Sequence, residues 1–396
     1  MSKNVLILEW SHPAETVRSL ASSLARGLVA NGFSVTTVDL TKRRHVAKLE
    51  SADKDAFSYI FSPGCVGFLV KVRDMQIYEY FSAKFYFWVL DPIIYDLARF
   101  PEVWAFFKQA RNSDRLYFLF PDRSYQALAQ EIVGDKCAYF PFAGDFRPYR
   151  AAPMSRDDAS PKSSSIVLLA NVGQELSEFA SLSCREIVGR MDPFGLDAHR
   201  KASLVDHVQH EGTHSNVMTA VRNFMNLQFR ELFNQGIIRF LSAIDASEKR
   251  RRRLMAVDSV RSMKIDIFGF GWQQHFGDCA NFTFYPTNIR HDCLPDIFAR
   301  YAVLLDFAPN WDHGFNDRVI TSLGAGCRVV TTRNQAVPEL GAAAELVACY
   351  SAHHPAPVAE LAAALHAAPI ETGLASAVRN GQDWQTRTRF LLDDET

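Results

Sequence analysis

Short apolar runs separated by stretches of helical period set the rhythm of this chain. Asn4 to Leu8 is the first such run and reads as a buried parallel strand. Glu15 to Ala30 carries Val17, Leu20, Leu24 and Leu28 at helical spacing, and Phe33 to Leu40 is the next strand. A β-α-β opening with connections this short predicts a doubly wound sheet. Tyr59 to Phe61, Phe85 to Leu90, Leu116 to Phe120 and Ala138 to Phe142 extend that sheet. The stretch RAAPMSRDDASPKSSS, Arg150 to Ser165, is polar, holds two prolines and has no period, so it reads as a linker. Ile166 to Ala170 restarts the strand pattern.

The next clear strand, Ile265 to Phe268, comes far later than the ~30 residues a β-α-β crossover requires. The intervening residues have helical periods, for example Phe224, Leu227, Phe229, Leu232 and Phe233. The expected organisation is an amino-terminal α/β domain over 1–150, a linker over 151–165, and a second α/β domain over 166–370. That second domain carries a helical insertion over about 174–260, expected to cover a cleft between the two halves. A helix Asp292 to Arg300, an Ala-rich helical stretch after Thr332, and a final crossing helix within 371–396, bracing the first domain around Trp384, complete the chain.

One segment combines strand, loop, helix and strand within 30 residues: VLLDFAPNWDHGFNDRVITSLGAGCRVVTT, Val303 to Thr332. Its polar loop follows the carboxyl end of an apolar strand, where open α/β sheets bind ligands. On a helix starting near Asn316, Val319, Ile320 and Leu323 make one buried face. Asp317 stacks with Thr321, and Arg318 with Ser322, on the other sides. Asn316 or Asp317 suits the N-cap. A helix amino terminus beside Arg318 offers N–H groups, partial positive charge and a planar donor, which suit a diphosphate. Gly314 would let backbone approach a ligand closely. The plainer reading is an ordinary capped helix with Arg318 paired to Asp317 or Asp312.

Composition narrows the class. The chain has 396 residues, 48% hydrophobic and 22% charged, with a formal net charge of −1. That is enough apolar residue for sizeable cores, and the charge sets up no field toward nucleic acid. Lys42-Arg43-Arg44 and Arg250 to Arg253 are local basic runs, read as solvated helix faces or as phosphate or lipid-headgroup contacts. The seven cysteines include no C-x-x-C pair and fit a reducing cytoplasm. Cys279, His291 and Cys293 match no zinc spacing. The opening MSKNVLILEW enters a strand directly, so a cytoplasmic protein is expected, and any membrane contact would be peripheral.

Other candidates sit at strand ends. The first loop, Glu9 to Pro13, lacks a G-x-G-x-x-G fingerprint. Asp91 ends the strand before Pro92 and is either a helix cap or a carboxylate facing a cleft. His12 either packs locally or serves as a base. Gly269 and Gly271 are read either as turn glycines only or as turn glycines that also border a bound ligand.

Asn316-Asp317-Arg318, the turn Gly324-Ala325-Gly326 and the strand Val329-Val330-Thr331 together resemble the sugar-nucleotide segment of GT-B type, group 1 glycosyltransferases. The resemblance is closest to the CgeB-like, spore-maturation-related enzymes. FWVLDP at Phe87 to Pro92, YFPFAGD at Tyr139 to Asp145, LLANVG at Leu168 to Gly173, IDIFGFGW at Ile265 to Trp272, LPDIFAR at Leu294 to Arg300 and DWQTR at Asp383 to Arg387 agree in order. The resemblance implies two doubly wound α/β domains facing across a cleft. It also implies transfer of a sugar from a nucleoside diphosphate sugar to a glycan, lipid-linked glycan or protein hydroxyl. The donor would be bound by Gly269, Gly271, Asp312, His313, Gly314, Asn316, Asp317, Arg318 and Thr321. No cofactor and no metal is expected, since a DxD motif is missing. Asp91, then His12, would be the base if the reaction inverts. Thr321 stands where the family usually has a Glu for the ribose hydroxyls, so the alternatives there are the neutral Thr321 hydroxyl, another carboxylate such as Asp306 or Asp312, or no ribose recognition. A catalytically weak nucleotide-sugar-binding or scaffold protein of the same fold is the competing expectation.

Overall fold

The computed structural model describes residues 4–10, 16–144, 146, 163–172, 181–210, 216–307, 311–368 and 372–393. The chain divides into two compact units. The first comprises Met1–Asp145, Arg290–Asp292 and Asn380–Thr396, and the second Phe146–Ile289 and Cys293–Arg379.

In the first unit β1 (Asn4–Glu9), β2 (Ser34–Asp39) and β3 (Tyr59–Pro63) are followed by a small antiparallel hairpin, β4 (Lys71–Val72) with β5 (Met75–Gln76). Then come β6 (Lys84–Trp88), β7 (Leu116–Phe120) and β8 (Cys137–Tyr139). The hairpin was not foreseen, because two-residue strands are too short to show a period. The other six strands form a parallel sheet in the order β2-β1-β3-β6-β7-β8. Val5, Leu6, Ile7 and Leu8 are all fully buried, as a strand covered on both faces requires. Helix α1 (Thr16–Ala30) buries Leu20, Leu24 and Leu28. Its Gly27 lies so close to the chain end that a Cβ there would sit 2.5 Å from the Trp384 carbonyl oxygen. The Trp384 ring packs edge-on to Trp88 at 5.3 Å.

The second unit holds β9 (Ser163–Leu169), β10 (Ile265–Phe268), β11 (Phe282–Tyr285), β12 (Tyr301–Asp306), β13 (Arg328–Thr332) and β14 (Val347–Tyr350). All are parallel, in the order β11-β10-β9-β12-β13-β14. Strand order therefore reverses between β9 and β12, the point at which such sheets open a crevice at their carboxyl edge. Alternating residues feed two cores, Val303 and Leu305 on one face, Leu304 and Val167 on the other.

Between β9 and β10 lie α2 (Cys184–Met191), α3 (Ala198–His210), α4 (Val217–Met225), α5 (Phe229–Leu232) and α6 (Gln235–Asp258). The Arg250–Arg253 run on α6 is not the solvated face expected from its charge. Arg252 is 3% and Arg253 8% exposed. The fully buried Glu248 pairs with Arg251 at 2.8 Å and lies 3.7 Å from Arg252. Arg252 also donates to the Val208 carbonyl, and Arg251 to that of Gln209, at the carboxyl end of α3 where cations are favoured. Burial pushes the Arg252 pKa down and Glu248 opposes that shift. The other basic run behaves differently. Lys42 pairs with the buried Asp39 at 3.1 Å, while Arg43 and Arg44 are exposed. Burial alone would raise the Asp39 carboxyl, but hydrogen bonds from Thr41 and Lys42 outweigh it and hold the pKa at about 2.

Several bounds differ from expectation: the strand expected over Ala138 to Phe142 is Cys137–Tyr139, that over Phe85 to Leu90 is Lys84–Trp88, the helix expected over Asp292 to Arg300 is Leu294–Phe298, and three further departures change the layout. Strand β9 starts at Ser163, inside the anticipated linker, most of which lies outside the described residues. Strand β14 interrupts the stretch read as helical after Thr332, its four residues hidden between Ala-rich flanks. The anticipated single last helix is two, Thr372–Gly381 and Trp384–Asp393. Asp383 breaks it by capping the second, its carboxylate accepting from Thr386 N–H at 2.6 Å.

Candidate functional site

At the carboxyl edge of the second sheet, β12 ends in Asp306 and the chain returns through a loop to α7 (Asp317–Gly324). Asn316 is the N-cap, its Oδ1 accepting from Val319 N–H at 3.2 Å. Its Nδ2 donates to Asp306 Oδ1 at 2.8 Å, and the Thr331 hydroxyl donates to Asp306 Oδ2 at 3.2 Å. Asp306 is thus buried and bonded to the helix start and to β13 at once. Helix α7 closes on a Schellman motif. Gly326 N–H donates to Leu323 O and Cys327 N–H to Ser322 O, with Gly326 at φ 82°, where a side chain would be strained. Gly324 serves a different need, since a Cβ there would run into the Phe146 ring.

Arg318 leaves the first turn of α7 and reaches across the sheet reversal. Its Nη1 donates to the Leu169 carbonyl at the end of β9, and its Nη2 lies 3.6 Å from Asp306 Oδ1. Its partner is therefore Asp306, not the Asp317 or Asp312 of the plainer reading. The side chain keeps a quarter of its surface exposed. The positive end of the helix and this guanidinium share one edge, and the half-exposed Asp317 complements that end in part.

The loop before α7 is held from two sides. Asp312 is buried, and its Oδ1 accepts from Asn216 N–H at 3.1 Å, at the cap of α4 in the helical block. Its carbonyl accepts from Gln335 N–H at 2.8 Å. Asn334 donates to the Gly314 carbonyl and caps its own turn through Ala336 N–H at 2.9 Å. Gly314 is buried without a positive φ, so close ligand approach is not what its backbone displays. His313 stays partly exposed and lies 3.2 Å from Glu339.

Gly269 and Gly271, with φ of 136° and 86°, form the turn after β10. A Cβ on Gly269 would lie 2.1 Å from the Ala170 carbonyl oxygen. Phe270 N–H donates to Asn171 Oδ1 at 2.8 Å. This turn therefore packs on the segment after β9, the same strand end that Arg318 touches.

The structure thus places Gly269 and Gly271 after β10 against the end of β9, and Asn316, Asp317 and Arg318 at the start of α7 beside the ends of β9 and β12, whereas Asp312, His313 and Gly314 lie in the loop held by Asn216, Asn334, Gln335 and Glu339. Two expectations change. Thr321 and Ser322 were assigned to outer sides of the helix, yet both are buried, at 4% and 0% exposure. Asp306 and Asp312, the alternative ribose acids, are buried: both Asp306 oxygens accept hydrogen bonds, and Asp312 accepts through Oδ1 while its Oδ2 is buried without a hydrogen-bond donor. Asp91 belongs to the first unit and is exposed after β6. It does not cap the following helix, whose N-cap is Pro92. His12 lies outside the described residues. Among the described residues no cluster of three His, Cys, Asp or Glu side chains is arranged to hold a metal. Sequence reasoning missed Glu339, Asn334 and Arg253. Only Arg253 carried a signal, the basic run itself.

The sequence matches no family model and no curated protein. The structure, in contrast, matches solved glycosyltransferases along nearly its whole length. It is similar to sucrose-phosphate synthase from Thermosynechococcus elongatus, with TM-score 0.56 and 11% identity over 99% of this chain and 98% of that one. The fold is that of the GT-B glycosyltransferases. AviGT4, a glycosyltransferase involved in avilamycin A biosynthesis, gives TM-score 0.52 and 10% identity over 99% and 96%. Anabaena HepE, in complex with UDP and glucose, gives 0.51 and 11% over 99% of each chain. At this level of identity the likeness is one of fold. No described helix is long and apolar enough to cross a membrane.

Asn316→Ala should destabilise the second unit by about 2–4 kcal/mol, the sum of a lost N-cap and a buried carboxylate oxygen deprived of its amide donor. Denaturant unfolding reads this directly, and a loss below about 1 kcal/mol would mean that Asn316 does not hold the loop.

Proposed function

We propose that this protein is a glycosyltransferase that moves a sugar from a nucleoside diphosphate sugar to an acceptor hydroxyl. The carrying observation is the convergence of the α7 amino terminus and Arg318 on the strand ends flanking the sheet reversal. In the reaction, negative charge develops on the leaving diphosphate and positive charge on an oxocarbenium-like sugar. A fixed helix end and a guanidinium answer the first need without reorganising, and the proposal needs no metal for it. The second unit would hold the donor and the first the acceptor, which is a glycan, a lipid-linked glycan or a protein, in the cytoplasm. The ordered resemblance of the N-D-R segment to the CgeB-like enzymes supports placing the chain near them. With Thr321, Asp306 and Asp312 buried, the acid at this rim suited to the ribose hydroxyls is Glu339, about a third exposed beside His313.

Asp91 is our candidate base for an inverting transfer. Its carboxylate is exposed at a strand end and has no hydrogen bond or ion pair among the described residues. A nucleotide-sugar-binding protein with little turnover is the second reading, favoured by the buried Thr321 in place of an acid.

Calorimetry with UDP and uridine tests the donor site. Arg318→Ala should weaken UDP binding by about 10- to 100-fold, the worth of a charge-assisted contact, and leave uridine within about twofold. Equal UDP affinity for variant and wild type removes Arg318 from the site. Transfer or slow donor hydrolysis by the wild type separates the enzyme from the binding protein. In an inverting enzyme Asp91→Asn should lower turnover by about 10²- to 10⁴-fold with UDP affinity unchanged. Full turnover in that variant rejects Asp91 as base.

A further inference from the structure

The helical block contributes one side chain to the same strand ends. Arg253, near the carboxyl end of α6, is 8% exposed and donates through Nη1 to the Asn171 carbonyl at 2.7 Å and through Nε to the Phe307 carbonyl at 3.2 Å. Asn171 follows β9 by two residues and Phe307 follows β12 by one, so the guanidinium spans the point where strand order reverses. Arg318 spans the same two strands at Leu169 and Asp306. The two strand ends are therefore tied by two planar, multidentate cations, one partly exposed and one buried. Lysine, a point charge with no planar fork, cannot reproduce that spacing.

The block holds Arg253 firmly in turn. Neighbouring Arg252 is fixed to Val208 O, and α6 is pinned to α3 through Glu248, Gln209 and Arg251. Asn171 is also the residue whose side chain receives Phe270 N–H, so Arg253 sets the backbone on which the Gly269-Phe270-Gly271 turn rests.

We infer that Arg253 is a positioning residue for the donor site: it sets the separation of the β9 and β12 ends so that Arg318 and the α7 amino terminus meet one diphosphate. The helical insertion is then a working part of that site. This rests on the donor reading above, and the test keeps the two apart.

Hydrogen exchange and calorimetry on the full chain, as wild type, Arg253→Lys and Arg253→Met, provide that test. Both variants should keep the amide protection of β9 and β12 themselves but lose protection at Ala170 and Val172, whose N–H groups donate to the Phe268 and Phe270 carbonyls. UDP affinity should fall about 5- to 20-fold with uridine affinity unchanged, the lysine variant restoring part of the loss. Unchanged exchange at Ala170 and Val172 overturns the clamp, and unchanged UDP affinity overturns its role in donor binding. If neither variant folds, the wild type decides. Addition of UDP must then slow exchange at Ala170 and Val172, and no slowing overturns the inference. A wild type that binds none of ADP, GDP, UDP and TDP defeats the donor reading, and the exchange measurement without ligand still decides whether Arg253 ties the strand ends.

Discussion

The buried carboxylate of Asp306 is the interaction on which the rest of this site depends. A carboxylate out of water is costly unless every oxygen is matched by donors. Here the donors are Asn316, which starts α7, Thr331 on β13, and the Arg318 guanidinium close by. Satisfying one charge therefore fixes a helix amino terminus, a neighbouring strand and a cation in one register. The same residue that ends a strand thereby aims the helix that follows it.

From that anchor the architecture extends outward in two layers. Asn334, from the turn after β13, and Asn216, at the cap of α4, hold the loop between strand and helix, the latter through the Asp312 carboxylate. Arg253 then reaches from α6 to the backbone after β9 and β12. Buried polar groups of this kind stabilise weakly on net, yet each one removed would leave its partners unmatched in a low-dielectric interior. Their combined effect is to fix geometry, which a site for a charged leaving group requires.

Much of the fold was legible. Parallel strands covered on both faces appear as unbroken apolar runs, and Leu116–Phe120 and Ile265–Phe268 match their expected bounds to the residue. The N-cap, narrowed to Asn316 or Asp317, and the closing glycines of α7 were also readable, because capping and left-handed turns restrict residue type locally. What could not be read was the fate of charge. Arg250 to Arg253 looks like a solvated face, and only the partners in the fold, the carboxyl end of α3 for Arg252 and the backbone after β9 and β12 for Arg253, show that two of the four are buried. Thr321 sits four residues after Asp317 on paper, but the helix is covered along its last turn, so the expected exposed stripe does not exist. Asp306 and Asp312 appeared available for a ligand until their partners, 10 and 96 residues distant in sequence, were placed beside them.

The central claim is that the α7 amino terminus and Arg318 receive a diphosphate at the sheet reversal. A crystal structure with UDP tests it most directly. The account predicts diphosphate oxygens within hydrogen-bonding distance, about 2.7–3.2 Å, of the first-turn N–H groups of α7 and of the Arg318 guanidinium. UDP bound elsewhere, with these strand ends empty, would contradict it.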